Sequence, residues 1–365
     1  MRVNRADVIV IGGGPAGGAM ALALARRGPS VVLLERNSSH SRRVGEVLPP
    51  AVRPALAALG LWDRFLADEH LPSTGVTSWW GGDRIERDYF FGPYGDGWHI
   101  CRRRFDEMLL MAARDAGVTI IRSAKVRHLQ RESNSEWQLE AAIESDSTEI
   151  LQGRFVVCAT GRSSQFSAFC GPRQRVDRLV GIAQTFVRLA DAPCLPRLWI
   201  EASVDGWSYT APLPQGRLVA VFLTDGDLLH GSAAEFVQTR LRDAPHTSER
   251  LAGWTPECAP QVFPAEVSCP TSRAGHAFVT VGDAANAFDP ASGRGIVKAL
   301  ESAVIAADAI VGQLAGRPEG LVDYNAMMER DFSENLQRRH EVYLSEKRWQ
   351  HSLFWRRRHV AVDRL

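Results

Sequence analysis

Apolar positions along this chain fall in unbroken runs, in helical spacing or in strict alternation, and each pattern predicts a different element. The opening stretch 7–35 reads DVIVIGGGPAGGAMALALARRGPSVVLLE. Its unbroken apolar run at 8–11 predicts a strand buried on both faces. An Ala- and Leu-rich helix follows, stopped by Gly28, then a second apolar strand at 31–34 that ends in Glu35. The pattern is strand, helix, strand.

Further on, Pro49 and Pro50 predict the start of a helix, AVRPALAALGLWDRFL, with Gly60 at its end. Short strands are expected at 75–80 and 85–91, joined by Gly81, Gly82 and Asp83. A helix follows at EMLLMAARDAG, then a strand at 118–121 and a small antiparallel meander over 125–130, 137–143 and 148–151. The apolar run FVVCATG at 155–161 predicts a return to the first sheet. Alternating runs then dominate 179–267 (GIAQTFVRL, PRLWIEA, GWSYTAPLP, RLVAVFLT), so a second, largely antiparallel sheet is expected, interrupted by one helix, SAAEFVQTRLRDA. A buried strand at 277–281 leads into GDAANAFDPASGRGI and a long helix, and helix continues from 321 into an Arg- and Trp-rich C-terminal stretch. That stretch is either a solvated helix face with aromatic anchors or a surface for an acidic partner or peptide substrate.

Gly12, Gly14 and Gly17 stand in G-x-G-x-x-G spacing between the first strand and its helix. Gly12 permits the tight turn, Gly14 the approach of a pyrophosphate, and Gly17 close packing of helix on strand. The anion then meets free N–H groups at the helix N-terminus, and an acid about 20 residues on, here Glu35, receives the ribose hydroxyls. A dinucleotide site is expected. The motif alone leaves FAD and NAD open.

Composition narrows the class. The 365 residues exceed the ~250–300 at which single cores stop growing, so more than one domain is expected. Apolar content of 45%, charged content of 23% and a net charge of +1 suit a globular protein and give no reason to expect nucleic acid or an anionic membrane. The six cysteines lack C-x-x-C or zinc spacing, so neither a disulfide framework nor a metal site is expected. No run of about 18 apolar residues predicts a membrane span, and the chain reads as cytoplasmic.

Three separated motifs together resemble the FAD-dependent monooxygenases of the aromatic-hydroxylase fold: the glycine turn with Glu35; Arg102-x-x-Phe105-Asp106 before a helix; and Gly282-Asp283 with Asp289-Pro290 and Gly293-x-Gly295-Ile296. Within that superfamily the chain is similar to the branch of flavin-dependent tryptophan halogenases and of flavoproteins that mature tryptophan-derived quinone cofactors. The residues that carry this are Val44-Gly45-Glu46-x-Leu48-Pro49-Pro50, Ala159-Thr160-Gly161-Arg162-Ser163, 206–214, Tyr343, Lys347-Arg348-Trp349 and Phe354-Trp355-Arg356-Arg357.

The resemblance implies an α/β fold with an α+β second domain: a Rossmann-like three-layer FAD-binding domain (1–72, 99–178, 270–316), an inserted antiparallel-sheet substrate domain (73–98, 179–269) and a C-terminal helical segment (317–365). Cofactor contacts are implied for Gly12, Gly14, Ala16, Gly17, Glu35 and Arg36; for Arg102 and Val126; for Thr160 and Gly161; and for Asp283, Pro290, Gly293, Gly295 and Ile296. Asp283 either meets ribityl and pyrophosphate oxygens or is a plain helix cap. Three residues are catalytic candidates, each with a plainer alternative: Glu46 contacts FAD or orients substrate, or is only a helix N-terminal acid. Ser292 is a hydroxyl donor to flavin or a cap, and Arg294 stabilises reduced flavin or binds a carboxylate, or points to solvent.

Trp79, Trp199, Trp207, Tyr209 and Phe222 are the candidates for the substrate wall, as pocket or as core. The implied reaction is hydroxylation of an electron-rich aromatic of indole or tryptophan type, free or peptide-bound, through a flavin C4a-hydroperoxide formed from dioxygen. NADPH, NADH or a partner flavin reductase is the electron donor. Two departures bear on this: Ser73 and Thr74 stand where halogenases carry a lysine, and Ser292 stands where their catalytic glutamate falls. Halogenation and a reductase of the geranylgeranyl type are the alternatives.

Overall fold

The computed structural model describes residues 3–37, 44–132, 136–143, 147–163, 165–189 and 194–360. Most of the polar loop expected at 36–43, and the last five residues of the C-terminal segment, lie outside the described residues. Mixed helix and sheet form two large sheets, two small ones and a C-terminal pair of helices.

The first sheet grows from Val3–Ile11, which pairs in parallel with Val31–Leu34 on one side and Ser147–Cys158 on the other. Thr119–Ile121 and Phe278–Thr280 extend it, both in parallel. Being buried on both faces, these strands read as unbroken apolar runs, with Val8, Ile9 and Val10 fully inaccessible. The third meander strand and the run at 155–158 are one continuous strand, Ser147–Cys158, which pairs with Trp137–Ile143 near its start and Val3–Ile11 along its length. Gly153 marks the middle of it: a Cβ there would stand 2.8 Å from the Ile9 side chain, so the strand passes too close to its neighbour for any larger residue.

Helix Pro15–Ala25 packs against Arg102–Asp115 and Gly295–Leu314. Nearly all its residues are buried, so it shows no amphipathic stripe. The stretch expected as one helix from 51 is two, Val52–Ala58 and Trp62–Ala67, broken at Gly60.

The second sheet runs in the order Trp254–Pro256, Leu179–Arg188, Arg217–Asp225, Gly206–Leu213, Arg197–Ser203, Gly75–Trp79, Arg84–Asp88. It is antiparallel except between Arg197–Ser203 and Gly75–Trp79. Residues 89–91, expected to continue the edge strand, turn into a 3-10 helix. One face of the sheet is covered by Ala233–Asp243 and Pro245–Leu251, the second of which the alternating pattern did not reveal. The other face packs against Tyr343, Phe354 and Trp355 from the C-terminal helices Glu319–Leu344 and Leu353–His359. Among the described residues no helix is long and apolar enough to cross a membrane.

Candidate active site

A cleft of about 530 Å³ runs from the glycine turn to the second sheet. At its first end, Gly12 has φ +108°, and a Cβ there would stand 2.4 Å from the Ala159 carbonyl oxygen, so strand, turn and neighbouring strand meet with no room for a side chain. Gly17 does not line the cleft. A Cβ there would stand 1.8 Å from Gly12 O, so its part is to let the helix sit on the turn. Glu35 is held at both oxygens, Oε2 accepting the Gly13 N–H at 2.6 Å and Oε1 the Asn37 N–H at 2.7 Å. No side chain caps Pro15–Ala25.

The middle of the cleft is built by two arginines. Arg102 Nη1 donates to Val44 O, and Nη2 lies 3.4 Å from each carboxylate oxygen of Asp106. Its Nε is buried in the cleft wall without a partner among the described residues. Arg162 donates to Glu266 O and, at 2.8 Å, to Phe288 O; its Nε lies 3.3 Å from Asp283 Oδ2. Arg162 was among the residues that carry the family resemblance, but no role was assigned to it there.

The far end is a wall from the second sheet. Leu198, Ile200, Trp207, Tyr209 and Phe263 face the turn Pro290–Ser292 and the helix start at Gly295. Glu46 lines the same cleft close to Tyr209 and Arg102, its Oε2 accepting the Gly45 N–H at 2.8 Å. Burial pushes the Glu46 carboxyl up, opposed by that hydrogen bond and by Arg102. Burial, then the Glu46 carboxylate, pushes the Tyr209 hydroxyl up as well, so it stays protonated.

The cleft gathers Gly12, Gly14, Ala16, Glu35 and Arg36; Glu46, Arg102, Val126, Thr160 and Gly161; Trp207 and Tyr209; and Asp283, Pro290, Ser292, Gly293, Gly295 and Ile296. Besides Gly17, four expected residues stand elsewhere. Arg294 is half exposed, 3.7 Å from Glu301 two turns along its own helix, and does not line the cleft. Trp79, Trp199 and Phe222 lie on the opposite face of the sheet, because strand residues two apart share a face and theirs is set by Thr210 and Ser208 rather than Tyr209 and Trp207. There Trp79 stacks on His246 with ring centroids 4.2 Å apart, Arg250 lies 4.5 Å over Trp199, and Phe222 packs on Phe236.

Residues 5–338 match the family described as FAD binding domain. The chain belongs to this FAD-binding family. It is 33% identical over 371 residues to the putative FAD-dependent oxidoreductase LodB of Marinomonas mediterranea, covering 97% of each chain. Among solved structures, the chondrochloren halogenase CndH, from a myxobacterium, superposes with a TM-score of 0.90 at 25% identity, over 98% of this chain and 86% of that one. The peptidyl tryptophan dihydroxylase QhpG superposes at 0.79 and 26%, over 98% and 82%. The chain is thus an FAD-dependent oxidoreductase of the monooxygenase superfamily, in a group that holds both aromatic hydroxylases and halogenases.

The residues present fit the cofactor. The uncapped first turn of Pro15–Ala25 is suited to a pyrophosphate, and the unpartnered Arg102 Nε is a buried donor awaiting an acceptor. The start of Gly295–Leu314, also without a side-chain cap, offers N–H groups to the anionic edge of a reduced flavin.

Proposed function

We propose that the protein is an FAD-dependent monooxygenase that hydroxylates an electron-rich aromatic of indole or tryptophan type, free or within a peptide. The observation that carries this reading is the far wall of the cleft, where Trp207 and Tyr209 stand across from the turn Pro290–Ser292 with the Glu46 carboxyl in the same lining. Bound FAD supplies the redox chemistry, taking electrons from NADPH, NADH or a partner flavin reductase and activating dioxygen.

The chain's own residues supply geometry and electrostatics. Tyr209, backed by the buried Trp207, offers an edge and a face to a flat ring, a contact worth about 0.5–1.5 kcal/mol beyond area burial. Leu198, Ile200 and Phe263 exclude water. Glu46, as carboxylate, accepts a hydrogen bond from the substrate N–H or O–H, which raises electron density in the ring. Thr160, Gly161, Asp283 and the N–H groups at Gly293 and Gly295 hold the cofactor against that ring.

Halogenation is the second reading, favoured by the likeness to CndH. Against it, no lysine lines the cleft among the described residues. Ser73, at the position expected for the halogenase lysine, is fully buried. A third reading, reduction of isoprenoid double bonds, needs a long apolar tunnel rather than aromatic walls around a carboxylate.

Reduction of the bound flavin by NADPH and by NADH, with and without indole compounds, is followed by flavin absorbance and oxygen uptake. Faster reduction or oxygen uptake on adding the aromatic supports the reading. Flavin that reoxidises without regard to any aromatic contradicts it.

A further inference from the structure

Arg339 and Tyr343 stand one turn apart on Glu319–Leu344, so their side chains leave the same face of the helix. Both reach one oxygen of Asp289: Arg339 Nε donates to Oδ2 at 2.9 Å and the Tyr343 hydroxyl donates to it at 3.0 Å. The other oxygen accepts the Ala291 N–H at 3.0 Å and so caps the turn Pro290–Ser292. Tyr343 has a second partner, for its oxygen accepts the Trp207 indole N–H at 2.9 Å.

The direction of this chain of bonds is fixed by the groups in it. An indole N–H only donates and an ionised carboxylate only accepts, so the phenol between them must accept from one and donate to the other. Trp207, Tyr343 and Asp289 are each no more than 1% exposed. Such a buried polar chain is costly unless every member is paired, whereas apolar residues would join the same surfaces without that cost. What distinguishes it is where it ends: Trp207 and Asp289 both line the cleft, one in the wall of the second sheet and the other in the turn that faces it. Tyr343 itself is behind the wall, ringed by Trp80, Phe354 and Trp355.

Resting on the reading of the cleft as an aromatic monooxygenase site, we propose that Tyr343 is a positioning residue: its hydroxyl ties the Trp207 ring to the Asp289-capped turn, so that the substrate wall and the cofactor-bearing turn hold one register. A ring misplaced by about 1 Å costs on the order of 100-fold in rate. Activated dioxygen is then lost as peroxide instead of reaching the substrate.

The test uses the FAD-loaded protein carrying Tyr343→Phe, which keeps the ring and removes only the hydroxyl, and Trp207→Phe, which removes the other end of the bond. Each single variant is expected to lower the ratio of hydroxylated product to oxygen consumed by about tenfold or more, and the double variant by no more than either alone, because both break one bond. Unchanged coupling and KM in Tyr343→Phe with only a lower Tm would overturn the proposal, as would losses that multiply in the double variant. The visible spectrum of the bound flavin gives a readout independent of the reaction. Trp207→Phe is expected to shift it by more in the otherwise unaltered protein than in the Tyr343→Phe background; equal shifts in both backgrounds would also overturn the link. If the unaltered protein hydroxylates no aromatic, the reaction reading fails, and this spectral comparison still decides the role of Tyr343.

Discussion

Glu46 is held in the cleft at an electrostatic cost that no structural partner offsets in full. Burial lifts its native carboxyl above the ordinary 4.5, so the folded state binds a proton more readily than the unfolded chain. Stability from this residue therefore falls as pH rises from 4.5 through the raised native value, and the cost is present at neutral pH. Glu46→Gln is expected to raise Tm at neutral pH and to change it little below 4.5, while lowering kcat/KM by about 100-fold, the range for loss of a positioned acid–base group. Thermal scans across pH, set beside turnover, check both halves. For Arg102→Met the expectation is a 10- to 100-fold (order-of-magnitude) weaker Kd for FAD, from loss of charge-assisted hydrogen bonds worth about 1.5–3 kcal/mol. Fluorescence titration of the apoprotein reads it directly. The glycine spacing was legible because backbone geometry leaves no room for a side chain at Gly12 and Gly17, and Glu35 because a carboxylate at the end of the second strand is the acceptor such a site needs. For Arg294 the plainer alternative holds, because spacing puts a residue at a helix start without saying which way its side chain points, and this one turns outward to Glu301.

Alternation along a strand decides which aromatic residues meet the cleft. Trp207 and Tyr209 share the cleft face of Gly206–Leu213, while Phe222 and Trp199 pack beneath Ala233–Asp243 and Pro245–Leu251. Phe222→Ala is expected to cost about 3–5 kcal/mol of stability and leave KM for the aromatic substrate unchanged. Tyr209→Ala reverses the pattern, raising KM by up to about tenfold with a smaller loss of stability. Chemical denaturation and steady-state kinetics on the same two variants separate them. The alternation itself was plain in the sequence, but both faces of this sheet are covered, one by helices 233–251 and the other by the C-terminal helices, so apolar character marks no single inside. The parallel join between Arg197–Ser203 and Gly75–Trp79 was hidden for another reason: strands more than 100 residues apart carry no local signal of their pairing.

At the scale of the whole chain, the C-terminal helices complete the cleft from behind its wall. Trp355 Nε1 donates to Ser203 O at 2.8 Å, and Arg358 pairs with Asp225 at 2.6 Å, both buried against the second sheet. The Arg- and Trp-rich stretch is thus anchored by its aromatic residues, Phe354 and Trp355 being fully buried. From the sequence, composition and motif spacing gave the βαβ unit and the return of the chain to its first sheet, since each is encoded within a few tens of residues. The Trp207–Tyr343–Asp289 connection joins positions 54 to 136 residues apart and needs the folded chain to be seen. The central claim is that this cleft delivers oxygen, rather than halogen or hydride, to an aromatic ring. Its most direct test is one turnover assay with isotopically heavy dioxygen, bromide and an indole-bearing peptide, with the product read by mass spectrometry. A product carrying one heavy oxygen atom and no bromine is predicted; a brominated product, or a reduced one without heavy oxygen, would contradict the account.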